Sequence, residues 1–276
     1  MIGPRGPRLL AGAGRVLLLA VYALPLLVLL LMSFKSDDDI TADPAGLVFT
    51  PTLEAYRAVG DEVGPALLNS AQIAIGTTLL TVVLAVPAAY GLARRRTRTW
   101  TLVTTGLLGA VIVLQMVPQP MAVIPLYAVL AQIGVINSLF GVILADTALL
   151  LPFAILLLRP FLLAVPVELE EAAILDGASM AATFGRVVIP VARNGILTVS
   201  VMVFMLSWGE FLYAITLLTT AGGYPVSGLL AAQVSLYGTD WGRLMALAVL
   251  TTLPILVVFL LTRRQLAAGM LSGALK

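Results

Sequence analysis

The sequence predicts an all-α membrane protein with six transmembrane helices. Of its 276 residues, 60% are hydrophobic and 11% are charged, whereas about 25% of the residues in a soluble globular protein are charged. Six separate segments carry the roughly 20 mostly apolar residues that an α-helix needs to cross a bilayer. The basic residues are concentrated in alternate connecting segments, as in multi-pass membrane proteins.

The six predicted spans follow one another along the whole chain. We expect the first to be retained, because it is longer than the apolar core of a signal peptide and lacks a small-residue cleavage pattern. The stretch from Met121 to Ile133 is apolar but short, so we interpret it as interfacial or re-entrant rather than as a seventh span. The predicted spans are Val16–Phe34, Leu67–Ala93, Thr101–Val117, Leu139–Leu158, Ile196–Leu218 and Leu244–Thr262.

The positions of lysine and arginine predict that both termini lie in the cytoplasm. With the N-terminus inside, all 16 basic residues fall in inside segments except Lys35, Arg57 and Arg243. Lysine and arginine accumulate on the cytoplasmic side of membrane proteins. The acidic loop between the first two spans is then extracytoplasmic, and the long segment 166–195 is cytoplasmic.

This cytoplasmic segment carries signals for two helices joined by a tight turn. Pro166 suits a first helical turn, and acidic residues follow it where they complement the helix dipole. Asp176 and Gly177 predict the end of this helix, because glycine adopts the left-handed conformation at little cost. Ser179 is a candidate N-cap for a second short helix that ends before Pro190.

Small residues flank the predicted turn. Ala172, Ala173 and Ala178 have side chains too small to obstruct a close neighbour, which favours docking against another protein. The alternative is an ordinary surface hairpin with solvated acids.

The residues of this turn resemble the EAA motif of the permease subunits of bacterial ABC importers. In that family the motif forms a coupling helix that inserts into a cleft of a cytosolic ATPase. The resemblance implies that Glu171 meets a basic group of the ATPase and that Asp176 and Gly177 shape the turn. It also implies a packing face formed by the three alanines and Phe184. The matching positions are Glu171, Ala172, Ala173, Asp176, Gly177, Ala178, Phe184, Ile189 and Pro190.

Further stretches are similar to the carbohydrate-uptake, MalG-like branch of this family, including 88–94, 124–127, 151–153 and 269–276. The resemblance implies the type I ABC importer permease architecture over a single domain, 1–276. Residues 1–65 would hold the first span and the extracytoplasmic loop, and residues 66–270 the core permease region. The chain departs from the family pattern at Asn194, where proline is frequent, and at Gly209, where asparagine is usual.

The same resemblance implies a heteromeric complex in the bacterial cytoplasmic (inner) membrane. Its other members would be a second homologous permease, two ATP-binding-cassette ATPase subunits and an extracytoplasmic binding protein that delivers a sugar or related polyol. No cofactor is expected in this chain, because ATP and Mg²⁺ would be held by the ATPase. No nucleic-acid partner is expected, because no basic patch is interleaved with aromatic residues.

Several polar and aromatic residues fall within the predicted spans. A charged side chain at mid-membrane costs about 2.5 to 3.5 kcal/mol on insertion scales, so each acid there needs a compensating environment. For Asp146 we expect a structural role. For Glu210 a pathway role and a structural role both stay open. The candidate substrate pathway consists of Gln115, Gln119, Trp208, Glu210 and Tyr213.

Composition restricts the alternatives. The chain contains no cysteine and no histidine, which removes thiolate metal sites and the usual hydrolase triads. It lacks a GxxxxGK[ST] phosphate loop, so a partner must handle ATP. We therefore expect a transport subunit and not an enzyme. The alternative function is an ion-coupled secondary transporter of a small polar solute, which would be expected to show an internal repeat and paired broken helices.

Overall fold

The computed structural model describes residues 6–94, 97–219, 223–236 and 238–274, and within these it describes side chains from residue 14 to residue 263. The basic residues Arg5, Arg95, Arg96 and Lys276, which contribute to the predicted orientation, lie outside the described residues. In chain order the helices are α1 (Gly6–Met32), α2 (Asp37–Ala42), α3 (Glu54–Ala58), α4 (Gly60–Arg94), α5 (Arg98–Gln115), α6 (Gln119–Gln132), α7 (Leu139–Leu163), α8 (Val167–Leu175), α9 (Met180–Thr183), α10 (Ile189–Trp208), α11 (Leu212–Leu217), α12 (Val226–Ala232) and α13 (Trp241–Ala274).

The structure confirms the number of spans. Within the described residues, six helical stretches are long and apolar enough to cross a membrane. They are Gly14–Met32, Gly60–Arg94, Arg98–Gln115, Leu139–Leu163, Met180–Trp208 and Trp241–Arg263. The apolar stretch after the third span forms α6, whose 14 residues are fewer than the roughly 17 needed to span a bilayer. Its interfacial or re-entrant placement stays a prediction.

The fifth span differs from the predicted Ile196–Leu218 at both ends. It begins at Met180, because α9 continues through a π-helical turn, Phe184–Val188, into α10. The prediction of a short helix ending before Pro190 is therefore wrong. Proline lacks the N–H of a regular helical bond, and the wider π-helical turn, in which the Ile189 N–H donates to the Phe184 carbonyl, carries the helix past it.

At its other end the fifth span stops at Trp208, with Gly209 as the C-cap. The short helix α11 then begins at Leu212. The predicted continuous helix up to Leu218 is therefore wrong as well. The hydrophobic run alone does not reveal this break, because Phe211 and Leu212 continue it after the polar Glu210.

The chain groups into two compact units. The second comprises Pro65–Gly228 and Pro254–Lys276, and its main core is built from α4, α7 and α10 together with the π-helical turn. Leu158, Leu162, Val188 and Val203 are fully buried there. The close packing of α10 on α7 depends on Gly195, because a Cβ atom at that position would overlap the side chain of Phe161.

The first unit comprises Met1–Gly64 and Leu229–Leu253 and includes a hairpin of β1 (Val234–Ser235) and β2 (Gly238–Thr239). This unit contains the three basic residues that the charge pattern predicts to be extracytoplasmic, Lys35, Arg57 and Arg243. Lys35 and Arg243 have partners within the unit. The ammonium of Lys35, which is 3% exposed, donates to the carbonyls of Asp43 at 3.0 Å and Pro44 at 3.3 Å. Arg243 pairs with Glu62 at 3.3 Å. These cations therefore have structural roles that a topology rule does not consider.

Candidate functional site: the turn at Gly177 and the polar cluster at Glu210

The turn after α8 is a complete Schellman motif. Gly177 has a φ of +87°, a conformation that only glycine adopts without strain. Its N–H donates to the carbonyl of Ile174 at 3.0 Å, and the N–H of Ala178 donates to that of Ala173 at 2.9 Å. These two bonds define the motif. The predicted helix end at Asp176–Gly177 is confirmed.

The turn joins two arms, α8 before it and α9 with the π-helical turn after it. The second arm begins as the sequence predicts. The Ser179 hydroxyl accepts a hydrogen bond from the N–H of Ala182 at 3.3 Å, which makes Ser179 the N-cap of α9. At the start of the first arm, Pro166 is the residue before the first turn of α8. The Schellman bonds at the end of α8 and the Ser179 cap at the start of α9 fix the chain direction through the turn by local hydrogen bonds.

The outer surface of the turn combines acidic and apolar side chains. Glu171, Ala172 and Asp176 are exposed. Leu175 is 87% exposed and Ile174 is 52% exposed, although both residues lie outside the six apolar spans. Adjacent exposed apolar side chains are a feature of contact surfaces with a protein or a membrane. Sequence reasoning missed both residues, because it searched for small side chains around the turn.

Glu170, unlike the exposed Glu171, is buried against the protein. It is 7% exposed, and its carboxylate accepts a hydrogen bond from the Tyr90 hydroxyl at 2.6 Å. The same carboxylate forms an ion pair with Arg94. From the sequence, Glu170 was interpreted only as an acidic residue near the N-terminus of a helix. Its partners Tyr90 and Arg94 are four residues apart, which places both on one face of α4.

Phe184 and Pro190, the last two predicted coupling residues, differ in exposure. Phe184 is half-buried and its ring lies 4.9 Å from that of Tyr90. It therefore packs within the chain, whereas the resemblance assigned it to the face that meets the ATPase. Pro190 is exposed and lies in the first turn of α10. Asn194, one turn further on, lies within α10, which passes it without interruption.

The polar cluster in the membrane region is centred on the break after α10. The Glu210 carboxylate accepts hydrogen bonds from the N–H groups of Tyr213 at 2.8 Å and Ala214 at 3.2 Å. The side-chain amide of Gln119 donates to the same carboxylate at 2.9 Å. Glu210 thus caps the first turn of α11 and ties α6 to it, which is the structural one of its two predicted roles.

Asp146 is fully buried on α7, in agreement with a structural role. One carboxylate oxygen accepts a hydrogen bond from the Ser207 hydroxyl at 2.5 Å, and the other has no partner among the described residues. Trp208, beside Ser207, is 4% exposed and lies against Phe204, with ring centroids 5.8 Å apart. The hydrogen bond between Ser207 and Asp146 ties the end of α10 to α7.

Two open cavities adjoin the cluster. The first, of about 430 Å³, has mainly apolar walls, and its polar lining consists of Gln115, Gln119 and Tyr213. The second, of about 320 Å³, is lined by Gln119, Asp146, Gly209 and Glu210 among others. The structure therefore brings four of the five predicted pathway residues to these cavities. Trp208 lines neither of them.

Removing the Glu210 carboxylate is expected to destabilise the protein. In a Glu210→Ala variant the buried N–H groups of Tyr213 and Ala214 lose their acceptor, and an unsatisfied buried donor costs about 1 to 3 kcal/mol. We expect a lower midpoint of thermal unfolding in detergent than for the wild type. The exposed Glu168→Ala provides the control, and equal midpoints for all three proteins would contradict the capping role.

Comparison with known proteins identifies relatives along almost the whole chain. The family described as "binding-protein-dependent transport system inner membrane component" matches residues 82–270. The trehalose transport system permease protein SugB of Mycobacterium tuberculosis is 34% identical over 92% of this chain and 93% of its own length. The diacetylchitobiose uptake system permease protein DasC of Streptomyces coelicolor is 29% identical, with 88% of each chain covered.

One solved structure shares the fold. It is a crystal structure of a bacterial ABC transporter involved in the import of the acidic polysaccharide alginate. The match has a TM-score of 0.76 at 20% sequence identity and covers 96% of this chain and 99% of the other. The predicted helical membrane fold with six spans is thereby confirmed, and the short hairpin of β1 and β2 is an addition that was not predicted.

Proposed function

Since this chain belongs to the family of binding-protein-dependent transport system inner membrane components, and is thus the permease subunit of an ABC importer, we propose that its cargo is a sugar or related polyol. Members of this family are transport components and not enzymes. The ion-coupled secondary transporter considered from the sequence has no support in the family or in the relatives. The cargo class is supported by the relatives, whose names specify trehalose and diacetylchitobiose.

The turn at Gly177 is the surface through which an ATPase drives transport. Support comes from the exposed apolar side chains of Ile174 and Leu175, which lie beside the exposed carboxylates of Glu171 and Asp176. A surface of this kind fits a cleft with an apolar floor and a basic rim. Glu171 pairs with a basic group there, and Ala172 allows close approach of the partner backbone.

An importer permease works with an ATPase and a substrate-binding protein. We propose a complex of this chain with a second homologous permease, two ATPase subunits and one extracytoplasmic binding protein. ATP and Mg²⁺ are held by the ATPase subunits. Both termini and the turn at Gly177 face the cytoplasm of a bacterium, which is the orientation that the lysine and arginine distribution favours.

The solute path runs along the two cavities beside the break after α10. Support comes from Gln115, Gln119 and Tyr213 in the first cavity and from Gln119 and Glu210 in the second. Amide and carboxylate groups bind sugar hydroxyls by hydrogen bonds. Tyr213 is 2% exposed and contributes only to the wall of the first cavity. Trp208 takes no direct part, because it lines neither cavity and packs against Phe204.

Purification of the intact complex tests this function. We expect a sugar-loaded binding protein to stimulate ATP hydrolysis by the complex, and the stimulating sugars define the cargo. The isolated chain is expected to hydrolyse no ATP, because it has no phosphate-binding loop. Measured ATP turnover by the pure subunit, or a complex stimulated only by solutes without several hydroxyl groups, would contradict the proposal.

A further inference from the structure

We propose that Tyr90, Arg94 and Glu170 form a joint that transmits movement of α8 to the second span, α4. The inference rests on the proposed function, because it concerns how a docked ATPase moves the membrane helices. It assigns different tasks to two adjacent carboxylates. Glu171 docks on the ATPase, and Glu170 is a positioning residue that couples α8 to α4.

The joint is built from a buried carboxylate held by two partners on one helix. Glu170 accepts the Tyr90 hydroxyl at 2.6 Å and pairs with Arg94. Its side chain is 9% exposed and that of Arg94 is 15% exposed. An ion pair removed from water is costly to break, because the remaining charge is left buried without compensation. α8 therefore stays attached to the last turn of α4.

Additional contacts attach both arms of the turn to the same point. Arg94 donates to the carbonyl of Val165 at 3.1 Å, just before α8. Its guanidinium carbon lies 5.5 Å from the centroid of the Tyr90 ring. From the other arm, Phe184 packs on Tyr90 with ring centroids 4.9 Å apart. A force on the exposed side of the turn thus reaches α4 through Tyr90 and Arg94.

Variants of the complete complex test the joint. Glu170→Gln keeps the shape of the side chain but removes its charge. We expect it to retain the ATPase during purification and to lower the amount of solute imported per ATP hydrolysed by about fivefold or more, the usual range of coupling between sites. Glu171→Gln is expected to lose the co-purifying ATPase, because Glu171 is the carboxylate that docks on it. The exposed Glu168→Gln on the same helix is the matched control and should change neither quantity.

A second variant tests whether the residues act as one unit. Tyr90→Phe removes the hydroxyl and keeps the ring against Phe184. We expect the Tyr90→Phe and Glu170→Gln effects on solute imported per ATP to be non-additive, as for residues in one hydrogen-bonded network. Additive effects would contradict the joint.

Three further results would overturn the proposal. A wild-type import ratio for Glu170→Gln would show that no force passes through this carboxylate. Equal loss of the ATPase from Glu170→Gln and Glu171→Gln would show that Glu170 serves docking or folding only. Absence of any ATPase from the wild-type preparation would overturn the proposed function, and the joint with it.

Discussion

A Gly177→Val variant is expected to insert into the membrane normally and to lose both its bound ATPase and its transport activity. Gly177 has a φ of +87°, and a residue with a Cβ atom in the left-handed region is strained by about 1 to 2 kcal/mol. No atom lies within 4 Å of the place that an added Cβ would occupy, so the effect arises from the backbone and not from a clash inside the chain. Relief of the strain reorients α8 against α9 and deforms the docking surface.

Two control variants separate this effect from a general loss of folding. Gly177→Asn should retain most activity, because asparagine tolerates the left-handed conformation better than valine. Gly185→Ala, in the π-helical turn, also has open space around the added atom and should behave like the wild type. Co-purification of Gly177→Val with the ATPase at wild-type yield, together with unchanged transport, would exclude the turn as the coupling element.

A Gly195→Ala variant is expected to damage the core between α7 and α10. The added methyl group would overlap the Phe161 side chain, and overpacking of a core costs about 1 to 3 kcal/mol. We expect a clearly lower midpoint of thermal unfolding in detergent and a lower yield of folded protein.

Gly109→Ala on α5 is the matched control for Gly195. No atom lies within 4 Å of the added Cβ there, and alanine favours a helix over glycine by about 1 kcal/mol. Its midpoint should therefore equal or exceed that of the wild type. A Gly195→Ala protein as stable as Gly109→Ala would show that α7 and α10 are not closely packed at this point.

Local signals in the sequence were sufficient where the chain itself determines the structure. The helix end at Gly177 and the N-cap at Ser179 depend on conformational preference and on hydrogen bonds within a few residues, so both could be predicted. The number of spans depends only on length and hydropathy and was equally accessible. The position of the turn at Gly177 could therefore be predicted from local signals, whereas its coupling role stays a prediction.

Other features depend on contacts between distant parts of the chain. The burial of Glu170 requires Tyr90, which lies 80 residues earlier, and no pattern within α8 distinguishes Glu170 from Glu171. The continuation of the helix past Pro190 requires a π-helical turn, and hydropathy does not report on backbone hydrogen bonding. The break at Gly209 could not be predicted from hydropathy for the same reason.

Uptake by proteoliposomes tests the central claim most directly. The purified complex is reconstituted with its binding protein, and import of the stimulating sugar is measured with and without ATP and with ion gradients collapsed by ionophores. We expect import to require ATP and the binding protein, to persist without ion gradients, and to be lost in the Gly177→Val complex. Accumulation of solute by this chain alone, driven by an ion gradient in the absence of ATP, would contradict the account.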